Sequence, residues 1–282
     1  MARNFVKLPS WSNVAAGNTA TLELPLGRTY DKIHIRYSGL SLAQMKHIRV
    51  NINGRAIEEF KHGQSLQDEN KYYLRNVAAN VLDIHFKRDE MKTLGEARAF
   101  GLGTSSQPYP DPGTGEMVNP PVIANVTLEI DIDEAAVNPT LEAYAIQSNP
   151  APIGFITKVK NFPVALNPGI NEVDNIPRPN TARIGSLHIL TEQTIEKIEV
   201  ELDSAKIYEL PTSLAEKIQV DHGRSPQANR YTVDFCLEGD MLQALPMIGS
   251  QDFRVRLFAA DDTPVSSSAT VVVHYFDGLA GI

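Results

Sequence analysis

The fold of this chain is decided by one stretch that the sequence contains twice. Residues 30–60, YDKIHIRYSGLSLAQMKHIRVNINGRAIEEF, are echoed by residues 181–210, TARIGSLHILTEQTIEKIEVELDSAKIYEL. Both copies alternate apolar and polar residues with a period of two, which is typical of strands half buried in a sheet. An interval of 150 residues separates Ile48 from its equivalent Ile198. Repetition at a domain-sized interval predicts two copies of one fold, because solenoid repeats have periods of roughly 20–50 residues.

The echo continues downstream in the same order. Later blocks of the first copy recur in the second: residues 81–91 in 231–241, 126–133 in 253–260, and 141–146 in 270–275. The match is weakest at the start of each copy, where residues 19–24 would pair with 170–173. Each copy then has about seven or eight short strands, few helices and regularly spaced turns, which predicts an antiparallel sandwich or jelly roll.

We therefore predict an all-β chain with two tandem sandwiches, short helical turns and one long loop. The first domain is expected to cover residues 1–150 and the second residues 151–282. Residues 61–80 are polar and predict a connection over a surface. The copies differ most at residues 105–121, SSQPYPDPGTGEMVNPP, which are rich in proline and glycine. Such a segment predicts an exposed, mobile loop that protrudes from the first domain.

Composition excludes several classes of function. The net charge of −8 comes with no concentration of Lys and Arg, so direct binding to duplex nucleic acid is disfavoured. The single cysteine, Cys236, forbids an intrachain disulfide and predicts a buried, inert thiol. No apolar run approaches ~18 residues, and the N-terminus lacks an apolar signal core, so we expect neither a membrane span nor a secretory peptide.

The sequence contains no recognisable catalytic motif. The seven histidines lack HxH and HExxH spacing, and no GxSxG, P-loop or GxGxxG motif occurs. We therefore expect no catalysis. Four of the histidines alternate with apolar residues and are expected on outer sheet faces or in interfaces: His34, His85, His188 and His274.

One acidic cluster could bind a metal ion. Glu129, Asp131 and Asp133 would share one face of a strand, with Glu134 beside them. Like charges on one face repel unless they are compensated. Three solutions remain open: a hard cation such as calcium, Lys and Arg from a neighbouring strand, or solvation. The metal prediction names Asp131, Asp133 and Glu134.

The N-terminal arm, residues 1–18, combines cations with apolar side chains. Arg3 and Lys7 alternate with Phe5, and Trp11 follows. These residues could contact a membrane surface or a neighbouring subunit, or the arm could fold along its own domain. Our prediction is a membrane-facing arm.

Several blocks resemble the major capsid protein of corticovirus-type phages, which are tailless, icosahedral phages with an internal membrane. They are SNVAAGNTATLELPLGRTYDKIHIRYSG (12–39), HIRVNINGR (47–55), FKRDEM (86–91), IDIDEAA (130–136), IPRP (176–179) and VDFCLEGD (233–240). The resemblance covers most of the chain and thins at residues 95–125 and in the proline-rich interdomain segment 147–168. No single block is diagnostic chemically, so the specificity comes from many blocks in order.

The resemblance implies a double jelly roll that assembles into pseudo-hexagonal homotrimers. The trimers would tile an icosahedral shell over an internal lipid membrane. Neighbouring trimers, penton proteins and minor capsid or membrane proteins would then be partners, with no direct nucleic acid contact. The protein would be made in the host cytoplasm and reside in the virion. No cofactor would be required, although the family's calcium-dependent capsid stability implies structural calcium.

Two other functions compete with this interpretation. A two-domain glycan-binding module would require exposed aromatic residues in a groove, yet the only tryptophan is Trp11 in the arm. A cupin-type enzyme would require a histidine metal motif that the sequence lacks. The oligomeric state distinguishes a capsid subunit from a glycan-binding module, since a capsid subunit should form stable trimers.

Overall fold

The computed structural model describes residues 3–111 and 113–281, which divide into two compact units. The main segment of unit 1 ends at Thr157, and that of unit 2 begins at Lys158. The short segment Tyr72–Leu74 groups with unit 2. No helix in the described part of the chain has the length and apolar character needed to cross a membrane.

Unit 1 is a sandwich of two antiparallel sheets. Its strands are β1 (Asn4–Lys7), β2 (Thr19–Glu23), β3 (Thr29–Ser38), β4 (Met45–Ile52), β5 (Arg55–His62), β6 (Val81–His85), β7 (Leu102–Gly103), β8 (Tyr109–Pro110), β9 (Met117–Val118), β10 (Val126–Ile132) and β11 (Thr140–Ser148). One sheet has the order β1-β11-β3-β6, with β7 beside β3, and the other contains β5-β4-β10-β2. Buried and half-buried residues alternate along β10, as a sheet with one covered face requires.

Unit 2 has the same architecture. Its strands are β12 (Ile156–Leu166), β13 (Gly169–Val173), β14 (Arg183–Leu190), β15 (Ile195–Leu202), β16 (Ala205–Pro211), β17 (Arg230–Asp234), β18 (Leu245–Pro246), β19 (Phe253–Ala259) and β20 (Ser267–Asp277). One sheet contains the order β17-β14-β20-β12, with β18 beside β14, and the other is β13-β19-β15-β16.

The duplication seen in the sequence is a duplication of topology. The order β5-β4-β10-β2 corresponds strand for strand to β16-β15-β19-β13, and β11-β3-β6 corresponds to β20-β14-β17. The pairing register is preserved as well, because Ile48 lies opposite Phe60 and Ile198 lies opposite Leu210. The prediction of two tandem β-sandwiches is confirmed.

A two-residue turn closes the β4–β5 hairpin and its equivalent in unit 2. Asn53 and Gly54 both have positive φ, as do Asp203 and Ser204, which suits the tight hairpin turn that matches strand twist. The first side chain of each turn also holds the segment that leads into the strand beside the hairpin in the sheet, which is β10 in unit 1 and β19 in unit 2. The Asn53 Oδ1 accepts the backbone N–H of Ala124 at 2.7 Å. The Asp203 Oδ1 accepts N–H groups from residues 251 and 252.

The prediction that residues 61–80 form a connection over a surface is wrong. Helix α1 (Gly63–Tyr72) begins there directly after β5, and its counterpart α3 (Thr212–Asp221) begins directly after β16. A short helix α2 (Leu94–Ala99) follows later in unit 1. Apart from Leu66, the sequence of α1 is polar until Tyr72, so it carries no apolar periodicity from which a helix could be predicted. Its good helix formers, Gln, Glu and Lys, were the available signal.

The long loop carries a small hairpin. Strands β8 and β9 pair through Tyr109 with Val118 and Pro110 with Met117. Most described residues of 106–119 are exposed, whereas Ser105 is buried and donates its backbone N–H to the Ala151 carbonyl. Pro112 lies outside the described residues. The predicted loop is therefore exposed at its tip and anchored at its first residue.

Candidate functional site

The acidic residues on β10 and directly after it are paired with cations from the neighbouring strand β4. The guanidinium of Arg49 donates to Glu129 at 3.1 Å and to Asp131 at 3.0 Å. Lys46 forms an ion pair with Asp133. Cross-strand neighbours of opposite charge stabilise a sheet, so one face carries a compensated charge network.

Compensation by Lys and Arg is one of the three solutions that the sequence left open. The hydrogen bond from Lys46 leads the contributions that lower the pKa of Asp133, and a backbone N–H from Ala135 adds to it. Asp131 also accepts a hydrogen bond from Thr19 at 2.7 Å. A metal ion at Asp131, Asp133 and the exposed Glu134 would have to displace these donors, so the side chains do not fit a hard-cation site as they stand. The metal site stays a prediction.

The same cross-strand pair recurs in unit 2 with its charges exchanged. Glu129 on β10 lies opposite Arg49, and Arg256 on β19 lies opposite Glu199. Arg256 also donates to Glu201 at 2.7 Å and to Glu172 at 2.8 Å. Both units therefore place opposite charges on neighbouring strands at this position, although the acidic and basic residues have exchanged strands.

The N-terminal arm folds along its own unit. Residues Asn4–Lys7 form the edge strand β1 and pair with β11. The Nζ of Lys7 lies 2.8 Å from Glu142, and Trp11 is buried with 9% of its surface exposed. Phe5 is the exception, because 74% of its surface is exposed.

These contacts limit what the arm can offer to a membrane. Arg3 lies 3.5 Å from Asp31, so it too has an acidic neighbour. Of the predicted membrane-facing set, Arg3, Phe5, Lys7 and Trp11, only Phe5 presents a large apolar surface without rearrangement. Trp11 would first have to leave its buried site. The membrane contact of the arm stays a prediction.

A buried ionic cluster in unit 1 was not predicted from the sequence. Glu90 accepts from Arg75 through both carboxylate oxygens at 3.2 Å and lies 2.7 Å from Arg88. At most 6% of each of these three side chains is exposed. Two further buried carboxyl groups, Glu58 and Glu69, lie in the same unit.

The cluster has one acid more than it has bases, and its pKa shifts follow from that imbalance. Burial opposes ionisation of Glu90, but the charges of Arg75 and Arg88 outweigh it and lower its pKa to about 2. The pKa of Glu58 is shifted in the opposite direction, because burial and the nearby Glu69 carboxylate raise it to about 8. Glu58 therefore holds a proton at neutral pH, which brings the buried charges into balance.

The predicted positions of histidine and cysteine had mixed outcomes. Cys236 is buried, as predicted. His34 is half exposed on the outer face of β3 and lies 2.6 Å from Asp83. His188 and His274 are fully buried and so do not lie on exposed outer faces. The alternative that they lie in an interface stays a prediction. The Nδ1 of His188 lies 2.9 Å from the Thr232 hydroxyl, so this buried ring nitrogen has a hydrogen-bond partner.

The described residues form two β-sandwiches of one topology whose partly exposed sheet faces carry paired charges. Residues 5–148 match the family described as the viral coat protein P2 N-terminal domain. Residues 156–279 match the viral coat protein P2 C-terminal domain. The chain belongs to the viral coat protein P2 family.

One relative aligns over nearly the whole chain. The chain is 34% identical to the major capsid protein P2 of Pseudoalteromonas phage PM2, over 97% of this chain and 96% of the phage protein. Its fold matches the crystal structure of that protein from bacteriophage PM2 with a TM-score of 0.88, at 33% identity and 100% coverage of both chains. The resemblance to corticovirus-type capsid proteins is thereby confirmed.

More distant capsid structures share only the fold. The crystal structure of the STIV MCP matches with a TM-score of 0.67 at 9% identity, covering 98% of this chain and 97% of that one. A quasi-atomic model of the PBCV-1 virus capsid matches with a TM-score of 0.64 at 10% identity, covering 97% and 92%. The fold is the double jelly roll.

Proposed function

We propose that this protein is the major capsid protein of an icosahedral virus and acts as a structural subunit of its shell. The observation that carries the proposal is the match of both units, in order, to the two P2 coat domains. The near-complete alignment with the PM2 capsid protein supports it. The protein then resides in the capsid shell of the virion.

The finer proposal is a homotrimer. Each chain contains two jelly rolls of equal topology, so a trimer contains six similar domains. A threefold trimer with six similar domains can occupy near-sixfold positions in a lattice. The internal duplication supports this arrangement. Neighbouring trimers, penton proteins, minor capsid proteins and an internal membrane complete the proposed set of partners.

Size-exclusion chromatography with light scattering tests the homotrimer. We expect a stable species of three chains, because obligate capsid contacts typically bury well over ~2,000 Å². Electron microscopy of particles that contain the protein then tests the shell. A chain that stays monomeric at high concentration and appears in no particle would contradict the proposal.

No feature of residues 3–111 and 113–281 favours the glycan-binding alternative. Trp11 is buried, so no exposed tryptophan is available to stack on a sugar ring. The capsid proposal therefore stands alone.

A further inference from the structure

Strands β1 and β16 are open edges of the two units. In the described residues, β1 ends its sheet and pairs with β11 alone. Within the part of the chain that the structure describes, strand β16 ends its sheet in unit 2 and pairs with β15 alone. An unpaired strand edge offers a row of N–H and C=O groups to another chain, and natural proteins usually cover or blunt it.

The equivalents of these two strands in the other unit are more buried than β1 and β16 are. Strand β16 corresponds to β5 of unit 1. Ile57 on β5 is 2% exposed, whereas its equivalent on β16, Ile207, is 40% exposed. The strand is therefore buried in one copy of the fold and open in the other.

The same contrast holds for β1. Strand β12 occupies the position next to β20 that β1 occupies next to β11. The first four residues of β12 are buried, whereas β1 alternates between half-buried and exposed residues. Phe5, at 74% exposure, is the large apolar side chain that β1 leaves uncovered.

The backbone of β1 is oriented for a second partner. The N–H of Leu8 donates to the Ala143 carbonyl at 2.9 Å, so alternate residues face β11. The N–H and C=O groups of Phe5 and Lys7 consequently point to the open side. A strand added there would meet free donors and acceptors as well as the Phe5 ring on the outer face.

We propose that β1 of one copy pairs edge to edge with β16 of a second copy. The inference rests on the proposed function, which supplies the second copy. Both strands are open edges with unpaired sides, and the exposed Phe5 and Ile207 become covered in the contact. The contact joins different surfaces of the two copies, so it is heterologous and closes into a ring when its rotation permits.

Cross-linking in mixtures tests the pairing. Asn4→Cys chains are mixed with chains that carry Ala205→Cys or Pro211→Cys, all in a Cys236→Ala background, and treated with a bifunctional maleimide. Ala205 and Pro211 are the two ends of β16, so either strand direction brings Asn4 near one of them. We expect interchain dimers with one of the two ends. Each cysteine chain alone is the control and should give none, because a heterologous contact does not place Asn4 near Asn4.

Substitution of the exposed apolar residues gives a second readout. Phe5→Ser and Ile207→Ser should raise the concentration needed for association by about tenfold or more, because each removes apolar area buried in the contact. Val137→Ser and Val265→Ser are matched controls, with 70% and 76% exposure, and should leave association unchanged. Thermal unfolding of the isolated chains should be unaffected in all four.

The outcomes separate this inference from the proposed function. A wild-type chain that never associates contradicts the proposed function itself. A chain that forms trimers, yet gives no cross-link from Asn4 to either end of β16 and no effect of Phe5→Ser, overturns the edge pairing alone. Loss of liposome binding by Phe5→Ser without loss of self-association would assign Phe5 to a membrane and would likewise overturn it.

Discussion

At the scale of single residues, the buried charges of unit 1 link the stability of the fold to pH. Arg75 has an equivalent in unit 2, Arg224, since both donate their backbone N–H to a residue five positions earlier. Arg224 is buried with one carboxylate, Asp234, at 2.9 Å. The unit 2 pair is balanced, whereas the cluster in unit 1 needs a proton on Glu58. We therefore expect the two units to respond differently to alkaline pH.

Glu58→Gln should remove a pH dependence of stability. The pKa of Glu58 rises from its ordinary value of 4.5 to about 8 on folding, chiefly through burial. The folded state therefore keeps a proton that the unfolded state loses. Stability should fall as pH rises from about 4.5 to about 8 and level off above, by up to ~5 kcal/mol. Urea unfolding between pH 5 and pH 9.5 measures the effect.

The variant keeps the buried amide neutral at every pH, so its urea midpoint should change little across this range. Glu23→Gln, an exposed carboxyl in the same unit, is the control and should behave as wild type. If the urea midpoints of wild type and Glu58→Gln changed equally with pH, the pH dependence would have to come from a group other than Glu58.

The charge network on β10 gives a second prediction at this scale. Because Arg49 and Lys46 already compensate Asp131 and Asp133, a chelator should not lower the melting temperature of the isolated chain. Asp131→Asn should cost only about 0.2–1 kcal/mol, as expected for a partly exposed ion pair. A chelator-sensitive melting temperature that Asp131→Asn and Asp133→Asn together abolish would establish the metal site instead.

At the scale of elements, the hairpin of the long loop is separable from the sandwich. Replacing residues 107–119 by a short Gly-Ser linker should preserve folding and trimer formation, because loop length changes stability only weakly. The anchored Ser105 and the Val122 carbonyl, which accepts from Asn53, stay in place. Circular dichroism and light scattering measure the result. Loss of soluble trimer would identify the hairpin as an interface element.

At the scale of the whole molecule, assembly determines what the N-terminal arm does. Two cations near an anionic bilayer contribute only about 1 kcal/mol each, so one arm would bind weakly, and a shell would rely on many arms. The ion pair of Lys7 with Glu142 and the burial of Trp11 reduce this further. Co-sedimentation of trimers with anionic liposomes should therefore differ little between wild type and a chain that carries Arg3→Gln and Lys7→Gln, which leaves strand β1 in place. A large loss of co-sedimentation would support the membrane-facing arm.

The sequence by itself determined the class of fold and the duplication. Alternation with period two survives in any sheet that buries one face, so the strands around Ile48 and Ile198 were readable without coordinates. The turn at Asn53-Gly54 was also readable, because a tight hairpin turn requires positive φ and few residue types accept it. The family was readable because many blocks keep their order along the chain.

Tertiary structure alone decided the partners of charged and terminal residues. Whether Asp131 meets a metal ion, Arg49 or water depends on the strand beside it, and strand order is not a local property of sequence. The exposure of Phe5 and the burial of Glu58 were hidden for the same reason, since a residue's cover comes from elements distant in the chain. The open edges β1 and β16 follow from the order of strands in the sheets, which no local stretch of sequence specifies.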